Sequence, residues 1–257
     1  LRIKNYYLII AFLSVTAYTA SAQQAQTYLF ASASVVTPTF KFASHPDFYS
    51  NVNNSFGDIG YAETGPGATL GLTSLFADGV LGLSAFTSYG YNSIDVTSYT
   101  EQVSMQPGIH YKPVSGTGYK HLTLVGGITL EPYGKNSAFD IKALAGILLC
   151  YTPTVTDSGH TDYYQGYMQP SGPTTVEAGH GISFVWGAGM DVRLPISEHI
   201  LLLVSTDFMV SNPEINTTVQ TTYLDQLTLN HSVETTNYRY YVWVSTLAIN
   251  VGVSYKL

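Results

Sequence analysis

The chain has 257 residues, 45% of them hydrophobic and only 11% charged, against about 25% charged in ordinary soluble domains. That balance excludes a disordered chain, and a single cysteine excludes an intrachain disulfide framework. The net charge of −7 argues against nucleic acid as a partner.

Residues 1–22 read as an export signal. Arg2 and Lys4 open it, Tyr6 to Val15 is its apolar core, and Ala20-Ser21-Ala22 is a small-x-small cleavage site. Residues 23–257 then form one domain. After residue 22 no apolar run approaches the ~18 residues that a spanning helix needs.

Eight segments with period-2 patterning follow, at 26–37, 64–76, 80–93, 118–131, 138–151, 179–194, 199–210 and 238–257. A strand with two different surroundings must alternate in this way. The pattern is clearest in Gly181 to Leu194. Ile182, Phe184, Trp186, Ala188, Met190, Val192 and Leu194 occupy one face, and Gly181, Ser183, Gly187, Gly189, Asp191 and Arg193 lie on the other with Val185. The third segment alternates likewise, with Phe86 as the exception. The first is the weakest, since neither face of Gln26 to Thr37 is clearly apolar.

Short and long connections take turns. Ala77-Asp78-Gly79, Pro132 to Ser137 and Pro195 to Glu198 are tight turns, whereas 38–63, 94–117, 152–178 and 211–237 are long. Connections in compact domains run to about 4–6 residues, and much longer ones carry function or disorder. An even strand count with this alternation predicts an all-β fold, an eight-stranded antiparallel transmembrane β-barrel with periplasmic turns and extracellular loops. Thr217 to Asn230 alternates enough to add a hairpin, which leaves ten strands as the variant.

The apolar face predicts lipid contact, because a soluble barrel with so few charges outside would aggregate, whereas a closed sheet satisfies its backbone within a bilayer. Tyr89, Tyr91, Tyr119, Tyr151, Tyr241 and Trp243 are expected in an outer aromatic girdle, and Phe76, Phe139 and Tyr255 in a periplasmic one. At the end of the chain Ile249, Val251, Val253, Tyr255 and Leu257 place an apolar residue at every second position. This stripe resembles the C-terminal signal of bacterial outer-membrane barrels, although that signal usually ends in phenylalanine. With the strand count and loop rhythm, residues 23–257 resemble the small outer-membrane barrels of OmpA and OmpX type. The resemblance implies the bacterial outer membrane, outer-membrane lipids and the barrel-insertion machinery as partners.

Strand parity points Glu131, Asp140, Lys142, Asp191, Arg193 and Lys256 inward, all in the periplasmic half. The interior of an eight-stranded barrel is narrow enough for side chains to fill, and buried charges need partners. An interlocked charge network plugging the lumen is therefore expected. Cys150 reads as lumen packing.

Four long connections hold eleven acids, among them Glu63, Asp95, Asp157, Glu177, Glu214 and Glu234, against Lys41 and Lys112. No Asp-x-Asp-x-Asp-Gly calcium loop occurs, and neither metal nor cofactor is expected. Lys120 and Arg239 are expected at the outer rim, to meet outer-leaflet lipid phosphates or to snorkel there. Asp157, Ser158, His160 and Asp162 share one loop, with His45, His110 and His231 in the others; that composition alone assigns no catalytic site. The expected role is non-catalytic: surface interaction with protein or glycan, adhesion or envelope integrity. A narrow channel for small solutes is the alternative, followed by a loop-based hydrolase.

Overall fold

The computed structural model describes residues 26–43, 61–76, 80–98, 109–110, 113–132, 139–157, 160–161, 168–225 and 230–257. They open with β1 (Gln26–Pro38), a one-turn helix α1 (Phe40–Ala43), β2 (Gly65–Phe76) and β3 (Leu81–Asn92). Two short strands, β4 (Ile109–His110) and β5 (Pro113–Gly116), precede β6 (Tyr119–Leu130) and β7 (Phe139–Tyr151). Then come β8 (Val155–Asp157), β9 (His160–Thr161), β10 (Met168–Val176), β11 (His180–Pro195) and β12 (Ile200–Ser211). A hairpin of β13 (Glu214–Asp225) and β14 (His231–Tyr241) leads to β15 (Val244–Lys256). The expected export signal lies outside the described residues.

Eight of these strands close into a barrel. Following hydrogen-bonded neighbours gives β1-β2-β3-β6-β7-β11-β12-β15, and β15 returns to β1 from Tyr28↔Lys256 to Pro38↔Thr246. Every neighbouring pair is antiparallel. The first seven expected segments match barrel strands to within one residue at each end. The eighth, 238–257, instead breaks at Val242-Trp243 into the end of β14 and the start of β15.

The ten-strand variant does not form, although its extra hairpin does. Among the described residues β13 pairs in register with the barrel wall only at His180↔Asn216, while β11 and β12 pair beneath it from Val185↔Ser211 to Pro195↔Leu201. Asn212-Pro213 interrupts the strand at that point, and the Pro213 carbonyl accepts the Val242 amide at 3.0 Å. Outward positions of β13 are Asn216, Thr218, Gln220 and Thr222, groups that hydrocarbon would leave unsatisfied. The hairpin therefore lengthens the wall outward instead of widening it. It also carries β10, β8 and β5, in the order β14-β13-β10-β8-β5. Connections expected as loops are thus in good part strand.

The outer and inner faces separate cleanly on β11. Ile182, Phe184, Trp186, Met190 and Leu194 are exposed on the outside, while Val185, Asp191 and Arg193 are buried within. Phe86, the exception in β3, is buried in the lumen edge-on to Phe30, with centroids 6.2 Å apart. The outward side of β1 alternates Leu29 and Val35 with Ala31 and Ala33, which explains its faint signal. A charge on the lipid face costs most at mid-bilayer. Ala188→Arg, halfway along β11, is expected to destabilise by about 2–4 kcal/mol and Leu194→Arg, near its periplasmic end, by about 0–1. Urea unfolding in lipid vesicles reads both, and equal costs would contradict this outward face.

Candidate functional site

The lumen is layered. In its periplasmic half Lys142 on β7 lies between two acids, with Nζ 2.7 Å from Asp191 Oδ1 and 2.8 Å from Asp207 Oδ1. Only 2% of the lysine side chain is exposed, and its Nζ stands 5.2 Å from the Phe86 ring centroid. Beside it Arg193 pairs with Asp140 and covers the Tyr28 ring at 4.3 Å. Register explains the arrangement. Asp140 and Asp191 sit directly opposite each other, which would repel, but each has a cation one diagonal step away. Lys142, Gly189 and Asp207 form one row across three strands. A Cβ at Gly189 would collide with Asp207 Oδ1 and come within 2.9 Å of Lys142 Cε, so only glycine lets this pair meet.

Hydroxyls and one amide complete the layer. Asn250 Nδ2 donates to Asp207 Oδ2 and to Ser205 Oγ, both at 3.0 Å, and Thr69 Oγ1 donates to Asn250 Oδ1 at 3.3 Å. Thr73, Ser84 and Thr129 link their hydroxyls at 2.8 and 2.5 Å. Of the six charges expected inside, Asp140, Lys142, Asp191 and Arg193 join in ion pairs. Glu131 is buried, and Lys256, paired in register with Tyr28, remains partly exposed. Asp207 was not anticipated. Both faces of its strand begin apolar, so the usable signal was the charge itself, which has no place on a lipid face.

Above the charges lies a void of about 10 Å³, bordered by Ser88, His121, Thr123, Asp207 and Met209 among others; one water needs about that much. His121 Nε2 stands 3.1 Å from Asn92 Oδ1, and Asn92 Nδ2 donates to the Val36 and Glu63 carbonyls at 2.9 and 2.7 Å. One side chain thereby ties β1, the returning first loop and β6 together. The outer mouth is apolar. Phe42 of α1 is fully buried and meets Tyr119 edge-on at 5.0 Å, in a cluster with Cys150, Ile215, Val242 and Val244. Tyr119, expected in the outer girdle, therefore belongs to the lumen, as parity with His121 requires. Next to this lid, burial pushes the Tyr61 hydroxyl up to about 12 and raises that of Tyr240.

At the outer rim a single register row crosses six strands: Tyr91, Lys120, Tyr151, His180, Asn216 and Arg239. Lys120 and His180 are exposed, and the Tyr151 and His180 rings lie 6.0 Å apart. Arg239 belongs to β14 rather than to the last barrel strand, and it pairs with Glu214. Tyr89, Tyr151, Tyr241 and Trp243 are exposed near this level, with Tyr255 at the opposite end. Between them the outside is Leu, Ile, Val, Phe and Trp. Ile249, Val251, Val253 and Tyr255 project on this outer face, and Leu257 is also exposed. Of the three residues expected in the periplasmic girdle only Tyr255 is exposed, while Phe76 and Phe139 are half-buried. A closed antiparallel sheet of even strand number, with an apolar band below an outer aromatic girdle, has the architecture of bacterial outer-membrane proteins.

The molecule is an outer-membrane β-barrel. No family model matches the chain, and no curated protein does. Its fold is similar to Ail, the attachment invasion locus protein of Yersinia pestis, at 10% identity over 91% of this chain and 97% of that one, with a TM-score of 0.39. A major outer membrane protein from Thermus thermophilus is similar at 11% identity over 91% and 99%, with a TM-score of 0.41. Ail has also been solved with the heparin analogue sucrose octasulfate; that structure matches at 11% identity over 91% and 97%, with a TM-score of 0.35. At these values the likeness concerns chain architecture alone.

Of the described loop residues weighed for catalysis, only His110 and His160 are opposed in register. His231 opens β14 opposite Leu224, His160 lies on β9, and Asp157 ends β8 opposite Thr174 and Pro113. His45, Ser158 and Asp162 lie outside the described residues. Among the described residues no group of three or more His, Cys, Asp and Glu could hold a metal ion.

Breaking a buried ion pair from one side costs about 3–5 kcal/mol, because it leaves an uncompensated charge. Lys142→Met is expected to lose that much in urea unfolding, and the triple change Lys142→Met, Asp191→Asn, Asp207→Asn to recover most of it. A triple variant as unstable as the single one would show that the pairing is not what matters.

Proposed function

We propose that this outer-membrane barrel is a non-catalytic surface-recognition protein, plugged within and working through its extracellular sheet. The observation that carries this reading is the edge of that sheet. β14 pairs with β13 at eleven consecutive positions without a bulge, and among the described residues its other edge has no partner. Strands left at an edge are usually guarded by charged side chains, proline or a bulge; β14 has no lysine, proline or bulge, and its two charges are Glu234 and Arg239, the latter paired with Glu214. Val233, Tyr238 and Tyr241 are exposed along it. Such an edge accepts an extended peptide as an added strand, with backbone hydrogen bonds for affinity and alternate side chains for selectivity.

Charge indicates the partner. The long connections hold eleven acids against Lys41 and Lys112, and a field of one sign draws in the opposite one. The fitting occupant is a basic extended segment of another protein. Lys120 and His180, on the outward rim row, are assigned to phosphate groups of outer-leaflet lipid, while Arg239 is held by Glu214. The outward stripe Ile249, Val251, Val253, Tyr255 and Leu257 is assigned to recognition by the insertion machinery. Against a channel stand the ion pairs and the apolar lid; the void described between them is about the size of one water.

Hydrogen exchange on the purified barrel tests the edge. An alternating lysine–valine peptide is expected to slow exchange of β14 amides about tenfold or more, and a glutamate–valine peptide to leave them unchanged. Equal effects of the two peptides, or protection confined to other strands, would contradict strand addition at β14.

A further inference from the structure

The extracellular sheet has two unlike faces. On one, Val155, Val176 and Val219 share a register row across β8, β10 and β13, and Val155 packs with Tyr61, Ile94 and Val96 of the first two long connections. On the other, the matching row is Thr156, Thr175, Gln220 and Thr235, on four successive strands. Thr218 and Asn237 form the next row toward the barrel, with Glu177 alongside. After it comes Asn216, in register with His180, Tyr151 and Lys120 on the outside of the wall. The polar face is therefore the direct upward continuation of the surface that meets lipid.

Its side chains are held in place by one another. Thr218 Oγ1 donates to Asn237 Oδ1 at 3.1 Å, Gln220 Nε2 donates to Glu177 Oε1 at 2.8 Å, and the Thr156 and Thr175 hydroxyls lie 3.3 Å apart. The flanking charges are already engaged, Glu177 by Gln220 and Arg239 by Glu214. What the face offers a neighbour is neutral: hydroxyls and amides, each able both to donate and to accept. Sugar hydroxyls have the same double capacity.

Height decides what that neighbour is. From Asn216 to Thr222 the face runs for about 20 Å at ~3.4 Å per residue. At the ~35–45° tilt of barrel strands it rises about 14–16 Å above the rim. A phospholipid headgroup layer is only about 5–8 Å thick, so it would cover the Asn216 row and leave the upper rows bare. A glycolipid with an oligosaccharide headgroup would reach them all. We propose that this face binds the oligosaccharide headgroup of outer-leaflet glycolipid, through Asn216, Thr218, Gln220 and Asn237. The proposal takes the assignment of Lys120 and His180 to lipid phosphates as the level at which the headgroup begins. It is independent of peptide addition at β14, which uses the backbone of the edge and not the side chains of the face.

Titration calorimetry of the folded full-length protein in detergent tests it, with two probes. One is lipopolysaccharide carrying its core oligosaccharide; the other is lipid A, which keeps the phosphates and acyl chains without the core sugars. Hydrogen-bonding side chains are each worth roughly 2–12-fold in affinity, so the wild-type protein is expected to bind lipopolysaccharide about tenfold or more tighter than lipid A. Loss of the phosphate contact would weaken both lipids alike and leave this ratio unchanged. The double change Gln220→Ala, Asn237→Ala should bring the ratio close to one, whereas Thr236→Ala, in register with Val219 on the opposite face, should leave it as in the wild type. Equal binding of the two lipids by the wild-type protein would overturn the proposal without recourse to any variant. So would a wild-type ratio in the double variant, or the same loss in Thr236→Ala.

Discussion

A backbone amide or carbonyl left without a partner in hydrocarbon costs several kcal/mol, so a sheet that enters a bilayer must close on itself. The pairing of β15 with β1 and of β11 with β12 meets that constraint, and the rest of the molecule follows from it. Eight strands enclose a space that side chains can fill, and whatever points inward is cut off from bulk water. Aspartates and basic side chains there must find each other. They do so across strands, with Lys142 reaching two acids over Gly189.

Beyond the apolar band the constraint lapses. Water satisfies an unpaired edge, and the wall is free to open into a flat sheet. The change occurs at Asn212-Pro213 on one side and Val242-Trp243 on the other, where the Pro213 carbonyl and the Val242 amide pair. Outward positions turn from Phe208 to Asn216, Thr218 and Gln220 over a few residues. The same chain is thus a sealed wall in the membrane and an open sheet above it. The proposed recognition belongs to the second part, where an unpaired edge leaves backbone groups to bond a partner.

Most of the barrel was legible because lipid and lumen impose opposite demands on successive residues, and β11 records both without interruption. Where one demand is weak, so is the record: Ala31 and Ala33 blur the outer face of β1. Asp207 was hidden by a strand that starts with four apolar residues, Ile200 to Leu203. Tyr119 was misplaced by its aromatic character, although Lys120 on the outside already required it to point in. The extracellular sheet was harder to read. Threonine-rich alternation in β13 and β14 signals a hairpin, but nothing in it states whether lipid or water lies alongside. The opposition of His110 and His160 depends on how two separate connections align, and no local pattern carries that register.

The central claim is that the lumen is sealed and that the protein works on its outside. Single-molecule conductance in planar bilayers tests it most directly. With Lys142, Asp191, Asp207, Arg193 and Asp140 paired below and Phe42 packed on Tyr119 above, the current is predicted to match that of the lipid alone. Discrete, reproducible openings of the wild-type protein would contradict the account and make the lumen the working part.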